Sequence, residues 1–545
     1  MPRPGEPALG AGESSSVPGT AAIANAIFDA TGVRFRAPPF TPETVREGLN
    51  KHFSHVLIDK FAINNVANEI PVDFDQTQSE KRRSLKNLQP AQPSSAVGFH
   101  HFPWPKRRSL AASLVALAAG LAGLLAAMVG GRAPIAPITT VIAPPLASPS
   151  IYTAATLERG RQLAALGNCV GCHTAPGGIP NAGGLAMHTP FGTVYGTNLT
   201  PDIETGIGSW SVAAFQRAMR QGISRDGHFL YPAFPYTAFA KTSDDDLTAL
   251  YAHLMAQPAV KAATPPAKMR FPFNIRPLMA GWNALFHDAS AYESEPVQSR
   301  EWNRGAYLVN GLGHCGACHT PRNALGAEQA GTAYLAGAMV DGWEAPALTA
   351  LSSAPVAWNR DECYRYLRDG HTQHHGIAAG PMAPVVRALS AVPNEDIRAM
   401  AVYLASFQTQ TEAVPARVAD AVVQQAALAA TQSTLTLPGP AQRLFNGACG
   451  ACHHDGDGPR LLGINTPLAL NTKLHSDRPD NLLQVILNGI QEPEGIDIGF
   501  MPAFKHSLSD AQITELAIYM RQRYAPGKAA WRDLPEAVAR VRALK

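Results

Sequence analysis

The sequence predicts a mainly α-helical chain: three tandem helical units behind one membrane-crossing helix, with a short, partly disordered N-terminal region. Three observations predict it. The pattern C-x-x-C-H occurs three times, at Cys169–His173, Cys315–His319 and Cys449–His453. Each copy follows a helix-like segment and precedes an acid-led amphipathic helix. Residues 109–131 carry no charge and are long enough, at about 1.5 Å per residue, to cross a ~30 Å hydrocarbon core.

Composition narrows the class further. The chain has 545 residues, so three or four domains are expected. Charged residues are 16%, below the ~25% usual for soluble proteins. With 46 Gly and 45 Pro, much of the chain is loop, which excludes a long coiled coil. A net charge of +3 is too small for nucleic-acid binding.

Residues 1–48 form an N-terminal piece, and residues 49–108 read as a polar, disordered linker. Lys106, Arg107 and Arg108 stand before the apolar span, whereas Arg132 is the only basic residue close behind it. The positive-inside rule therefore places the N-terminal part in the cytoplasm and the C-terminal 414 residues outside it. Residues 132–150 are a Pro-rich linker.

The outer region then repeats itself. The first unit is expected over 151–290, the second over 291–412 and the third over 437–530. A linker (413–436) and a C-terminal tail (531–545) complete the chain. Helix-like segments precede the motifs at Leu157–Leu166, Trp302–Leu312 and Ala441–Phe445. The closing helices share an i, i+3, i+7 apolar set: Leu247/Leu250/Leu254, Ile397/Met400/Leu404 and Ile513/Leu516/Met520. Acidic residues at their starts suit the helix dipole.

C-x-x-C-H is the attachment signature of c-type haem. The thiols of Cys169 and Cys172, Cys315 and Cys318, and Cys449 and Cys452 would each form a thioether with a haem vinyl group. His173, His319 and His453 would then ligate iron. A zinc site needs four ligands, usually from paired knuckles, and these pairs lie more than 130 residues apart. Two helices crossing beside a haem make the cytochrome c plan, so the units read as three cytochrome c domains with three covalent haems. The seventh cysteine, Cys363, reads as a small buried side chain on a helix.

Methionine on the opposite face would complete the iron and raise its potential. The ligand is expected in a loop: Met382, in Gly380-Pro381-Met382-Ala383, for the second unit, and Met501, in Gly499-Phe500-Met501-Pro502, for the third. The first unit places Phe234 where Met would stand. Met187, His188, Met219 and His228 remain its candidates, with core packing the plainer reading of Met219.

Residues 151 to about 525 resemble the trihaem cytochrome c subunits of membrane-bound bacterial dehydrogenases, such as alcohol and gluconate dehydrogenases. The matching stretches are Thr189-Pro190-Phe191-Gly192-Thr193-Val194-Tyr195, Asn198-Leu199-Thr200-Pro201-Asp202, Phe271–Leu278 and Gly281-Trp282-Asn283. Phe234-Pro235-Tyr236 is similar to the branch that serves molybdenum hydroxylases, including nicotinate, isoquinoline and aldehyde dehydrogenases. Gly10–Pro18, Ala21–Gly32 and Pro38–Glu43 resemble the C-terminus of the molybdopterin-binding subunit of that family. Glu13 matches the glutamate that acts there as general base.

Some 45 residues cannot bury a molybdopterin, so Glu13 has no completed site here; a truncated or frameshifted gene is the expected origin, and a separate subunit that docks its tail is the alternative. No catalytic residue is assigned. The resemblance implies an electron-transfer subunit anchored once in the inner membrane. It would carry electrons from a molybdenum dehydrogenase and its 2Fe-2S subunit to quinone or a terminal oxidase. A quinoprotein or flavin dehydrogenase is the alternative partner, and a haem peroxidase is a further class.

Overall fold

The computed structural model describes residues 28, 33, 44, 45, 47, 133–138, 152–408, 415–433, 439–454, 467–490 and 500–544. The expected membrane span 109–131, the linker 49–108 and Glu13 lie outside the described residues. Among the described residues no helix is long and apolar enough to cross a membrane. The chain divides into two compact units, 1–110 and 111–545. In the first, Val33 is buried. All that follows concerns the second.

Thirteen helices of eight or more residues are described there. Helix α1 is Ala154–Leu166, α2 Val212–Gln221, α3 Asp244–Met255 and α4 Met279–Phe286. Then come α5 Arg300–Asn310, α6 Arg360–Asp369, α7 Met382–Leu389 and α8 Asn394–Ala405. The remainder are α9 Pro415–Ser433, α10 Pro440–Ala448, α11 Asp480–Asn488, α12 Asp510–Tyr524 and α13 Leu534–Ala543. Strands β1 (Ala186–Thr189), β2 (Gly192–Tyr195) and β3 (Lys268–Met269) form a small antiparallel sheet. Strands β4 (Ala338–Val340) and β5 (Trp343–Ala345) form a hairpin, as do β6 (His371–Thr372) and β7 (Gly376–Ile377).

Local chemistry starts the helices. The hydroxyls of Thr153, Ser243 and Ser299 accept the backbone N–H three residues on, capping α1, α3 and α5. Ser509 and Gln512 form a reciprocal capping box on α12.

The helix before each motif packs on the helix that closes its unit: α1 on α3, α5 on α8, and α10 on α12. All nine apolar residues of the repeated i, i+3, i+7 set are buried. Two crossings are close enough to require glycine. A Cβ at Gly160 would stand 2.0 Å from Ala249 O, and one at Gly305 would stand 1.9 Å from Ala399 O.

Three features differ from the sequence expectation. First, the first two units share one buried cluster, from Leu163 through Leu250 and Leu308 to Ile397 and Leu404. Polar bonds reinforce the fusion. Arg159 donates to Asp246 at 2.8 and 2.9 Å and reaches Asp396 at 3.3 Å, while Arg304 holds Asp396 at 2.7 and 2.8 Å. Second, the expected tail 531–545 carries α13. Its Leu534, Val538 and Val541 fall at i, i+4, i+7 and enter the separate third core. Third, the expected linker 413–436 carries α9, whose Ala419 and Ala426 are buried.

The third unit meets the second through polar contacts and a small apolar cluster of Val356, Ala419 and Leu470. Glu344 N donates to Asn481 Oδ1 at 2.8 Å, and Asn481 Nδ2 donates back to Glu344 O at 2.7 Å.

Candidate haem sites

Each C-x-x-C-H copy follows directly on its packed helix, which fixes where the motif sits. Cys169–Cys172 and Gly316–His319 form single helical turns. In the third copy, Cys449 caps α10. None of the seven cysteines lies in a disulfide. Among the described residues, no three or more His, Cys, Asp and Glu side chains converge to hold a metal ion, so the pairs build no zinc site there.

The histidines carry the sharper signal. His173 Nδ1 lies 2.6 Å from Thr197 O, and His319 Nδ1 lies 2.7 Å from Pro346 O. A carbonyl only accepts, so Nδ1 must carry the proton. That fixes the tautomer and leaves the Nε2 lone pair free for a metal, the usual arrangement of a ligating histidine. Both carbonyls sit just beyond a hairpin, β1–β2 in the first unit and β4–β5 in the second. Gly196 lets the first loop come close, since a Cβ there would stand 1.9 Å from Cys172 O. His453 Nδ1 is buried and has no hydrogen-bond partner among the described residues.

Burial holds His173, His319 and His453 below the ordinary histidine range, so each is neutral at pH 7. Burial, then the neighbouring thiol, pushes Cys169 and Cys315 up to about 12 and Cys449 to about 11. A redox C-x-x-C pair needs a stabilised thiolate, and these sites do the reverse. Paired neutral thiols beside an imidazole with a free Nε2 fit a covalently attached haem. When bound, the haem supplies a one-electron iron couple. Both thiols of each motif would hold it, and the imidazole would ligate its iron.

The candidate methionines are partly buried. Met382 begins helix α7 instead of standing in a loop, and it packs on the shared cluster that Cys315 also touches. The turn before it needs glycine. Gly380 has φ +56° and lies against the Trp343 ring. Met501 lies in a short antiparallel bridge to Ile490 and packs on the third core, as does Cys449. Phe234 sits in an aromatic group, edge-on to Phe239 at 5.3 Å.

Of the remaining first-unit candidates, Met219 is core. Met187 lies partly buried on β1. His188 and His228 are exposed, with Nδ1 engaged by Thr193 at 3.1 Å and Asp226 at 2.5 Å. Cys363 is buried on α6, its thiol pushed up to about 12 by burial.

Sequence reasoning missed the two carbonyls, because a backbone oxygen has no residue-type signature. It also missed a cavity of about 290 Å³ between α4 and the second motif. Trp282 and Phe286 form one wall, and Gly316 and Ala317 another. Glu328 lines it, its carboxyl raised by burial against the opposing pull of Arg322.

Crossed helices beside a C-x-x-C-H turn, with the histidine tied at Nδ1, define a c-type cytochrome. Residues 438–520 match the family described as cytochrome C oxidase, cbb3-type, subunit III. The chain is 49% identical over 543 residues to one subunit of the nicotinate dehydrogenase of Pseudomonas putida, a match that covers all of this chain and 41% of that protein. It is 36% identical over 413 residues to the fructose dehydrogenase cytochrome subunit of Gluconobacter japonicus, covering 71% of this chain and 83% of that one. It is 35% identical over 397 residues to the cytochrome c subunit of the quinone alcohol dehydrogenase of Gluconobacter oxydans, covering 70% and 81%. The chain belongs to the family of dehydrogenase cytochrome c subunits, which carry electrons on covalently bound haem c.

Proposed function

We propose that this chain is a three-haem electron carrier, anchored in the bacterial inner membrane with its haem units in the periplasm. In this reading it takes electrons from a molybdenum hydroxylase that oxidises an N-heterocycle or aldehyde, by way of a 2Fe-2S subunit. It passes them to quinone or a terminal oxidase. The observation that carries the haem assignment is the threefold C-x-x-C-H motif, with the histidine pinned at Nδ1 in the first two copies. Cys169, Cys172, Cys315, Cys318, Cys449 and Cys452 hold the haems. His173, His319 and His453 ligate iron, with Met382 and Met501 opposite in the second and third units.

The molybdenum partner is supported by the match to the nicotinate dehydrogenase of Pseudomonas putida, which runs the length of this chain and takes in residues 1–48. The anchor rests on the uncharged run 109–131. Haem content per chain tests the cofactor count: three is expected, and two would refute it. Cys318→Ala should remove one haem and leave the others.

A second reading places the same carrier beside a quinoprotein or flavin dehydrogenase. The matches to fructose, gluconate and alcohol dehydrogenase cytochrome subunits favour it. Purifying the native complex and assaying it for molybdenum, flavin and pyrroloquinoline quinone separates the two. Molybdenum with 2Fe-2S iron supports the first reading, and either organic cofactor without molybdenum overturns it.

A further inference from the structure

The segment from Lys268 to Leu285 exposes more apolar surface than a solvent-facing loop requires. Phe271 is 80% exposed, Leu285 73%, Leu278 48% and Ile275 41%. Leu278 and Leu285 lie seven residues apart, two turns along one stripe of α4 and the 3-10 turn before it. Met279, Trp282 and Phe286 occupy the neighbouring stripe and pack inward. Lys268 and Arg270 precede the apolar string, are exposed, and have no ion pair among the described residues. Exposed apolar side chains flanked by free cations are the composition of a membrane-surface contact.

Given the proposed span at 109–131, the course of the chain keeps this segment near the bilayer. Only Arg132 separates the uncharged run from Ala133, and residues 133–138 do not hang free. Arg217 Nη1 donates to Ala133 O at 2.8 Å, Ile135 N donates to Arg225 O at 2.9 Å, and Ile138 N donates to Ser209 O at 3.1 Å. Four residues from Gly131 to Ile135 span at most about 14 Å. The loop that receives this strap also seats the apolar segment. Arg276 Nη1 donates to Phe229 O at 2.7 Å, Tyr231 OH donates to Phe273 O at 3.0 Å, and the Arg276 guanidinium lies 4.6 Å over the Tyr231 ring. Arg225 to Phe229 is again at most about 14 Å.

We propose that Phe271, Ile275, Leu278 and Leu285 dock on the bilayer surface, with Lys268 and Arg270 on anionic phospholipid headgroups. The first unit then lies on the membrane in one fixed orientation. This rests on the proposed span at 109–131.

The test uses the full, haem-loaded chain in vesicles of phosphatidylglycerol and phosphatidylcholine. The photoreactive residue p-benzoylphenylalanine replaces Phe271 or Leu285, with Leu351 (66% exposed) as control position. Lipid adducts are expected at 271 and 285 and not at 351. They should fall roughly tenfold in Lys268→Glu/Arg270→Glu, whose haem spectrum reports the intact fold. Adducts to protein, no adducts, or equal yield at 351 would overturn the proposal. Carbonate extraction of the same vesicles separates the two readings. Release of the chain refutes the span itself, whereas a retained chain without adducts refutes only the docking face.

Discussion

Gly305→Ala turns the closest helix crossing into a measurable quantity. In an exposed helix this substitution stabilises by about 1 kcal/mol, because alanine loses less backbone freedom on folding. Gly305 is not exposed. The added Cβ would meet Ala399 O at 1.9 Å and Tyr403 Cβ at 2.8 Å. The nearest atom is a backbone carbonyl, so it cannot rotate aside. Helices α5 and α8 must separate by about 1 Å, an overpacking cost of about 3 kcal/mol. The net loss is about 2 kcal/mol, or a Tm lowered by about 4–8 °C for a unit of this size. Gly447, exposed on α10 with nothing within 4 Å of its added Cβ, is the matched control. Gly447→Ala should raise stability by about 0.5–1 kcal/mol. Calorimetry of the haem-loaded chain reads both signs. A Gly305→Ala Tm equal to or above that of the unsubstituted chain would refute the close-crossing argument.

Further outcomes follow from the same geometry. Burial raises the Asp246 carboxyl, but its bonds from Arg159 and Tyr307 outweigh this and hold it below the ordinary range. A depressed carboxylate gives its full stabilisation above the unfolded value near pH 3.9 and loses it as pH falls through the lower folded value. Asp246→Asn should therefore cost about 2 kcal/mol at pH 7 in denaturant titrations, with the difference shrinking below pH 4. An equal difference at pH 2 and pH 7 would remove ionisation as the cause. Met382→Ala and Met501→Ala should each lower one midpoint potential in a redox titration, because a thioether ligand raises it. An unchanged set of potentials would strike that methionine from the ligand set.

The helix pairs were legible because their signals are local. Ser243 and Ser509 announce helix starts, and the apolar spacing from Leu247 to Leu254 faces one partner. The motifs were legible because their residue types are rare in that spacing. Arg159 and Asp396 gave no warning. They lie 237 residues apart, and a lone arginine on a helix reads as solvated surface. The carbonyls of Thr197 and Pro346 were invisible for a different reason, since any residue could supply them. Gly380-Pro381 predicts a loop at Met382. The same pair instead starts a helix, with proline supplying the first turn's φ.

The shared core of the first two units bears on how charge moves through the molecule. Domains tethered by slack linkers exchange electrons only when diffusion brings them together, so solvent viscosity would limit the rate. Here Arg159, Asp246, Arg304 and Asp396 bind both motif-bearing helices to one interior. The spacing of the first two C-x-x-C-H motifs is therefore a constant of the fold, and transfer between haems held there should proceed at the same speed in glycerol as in water.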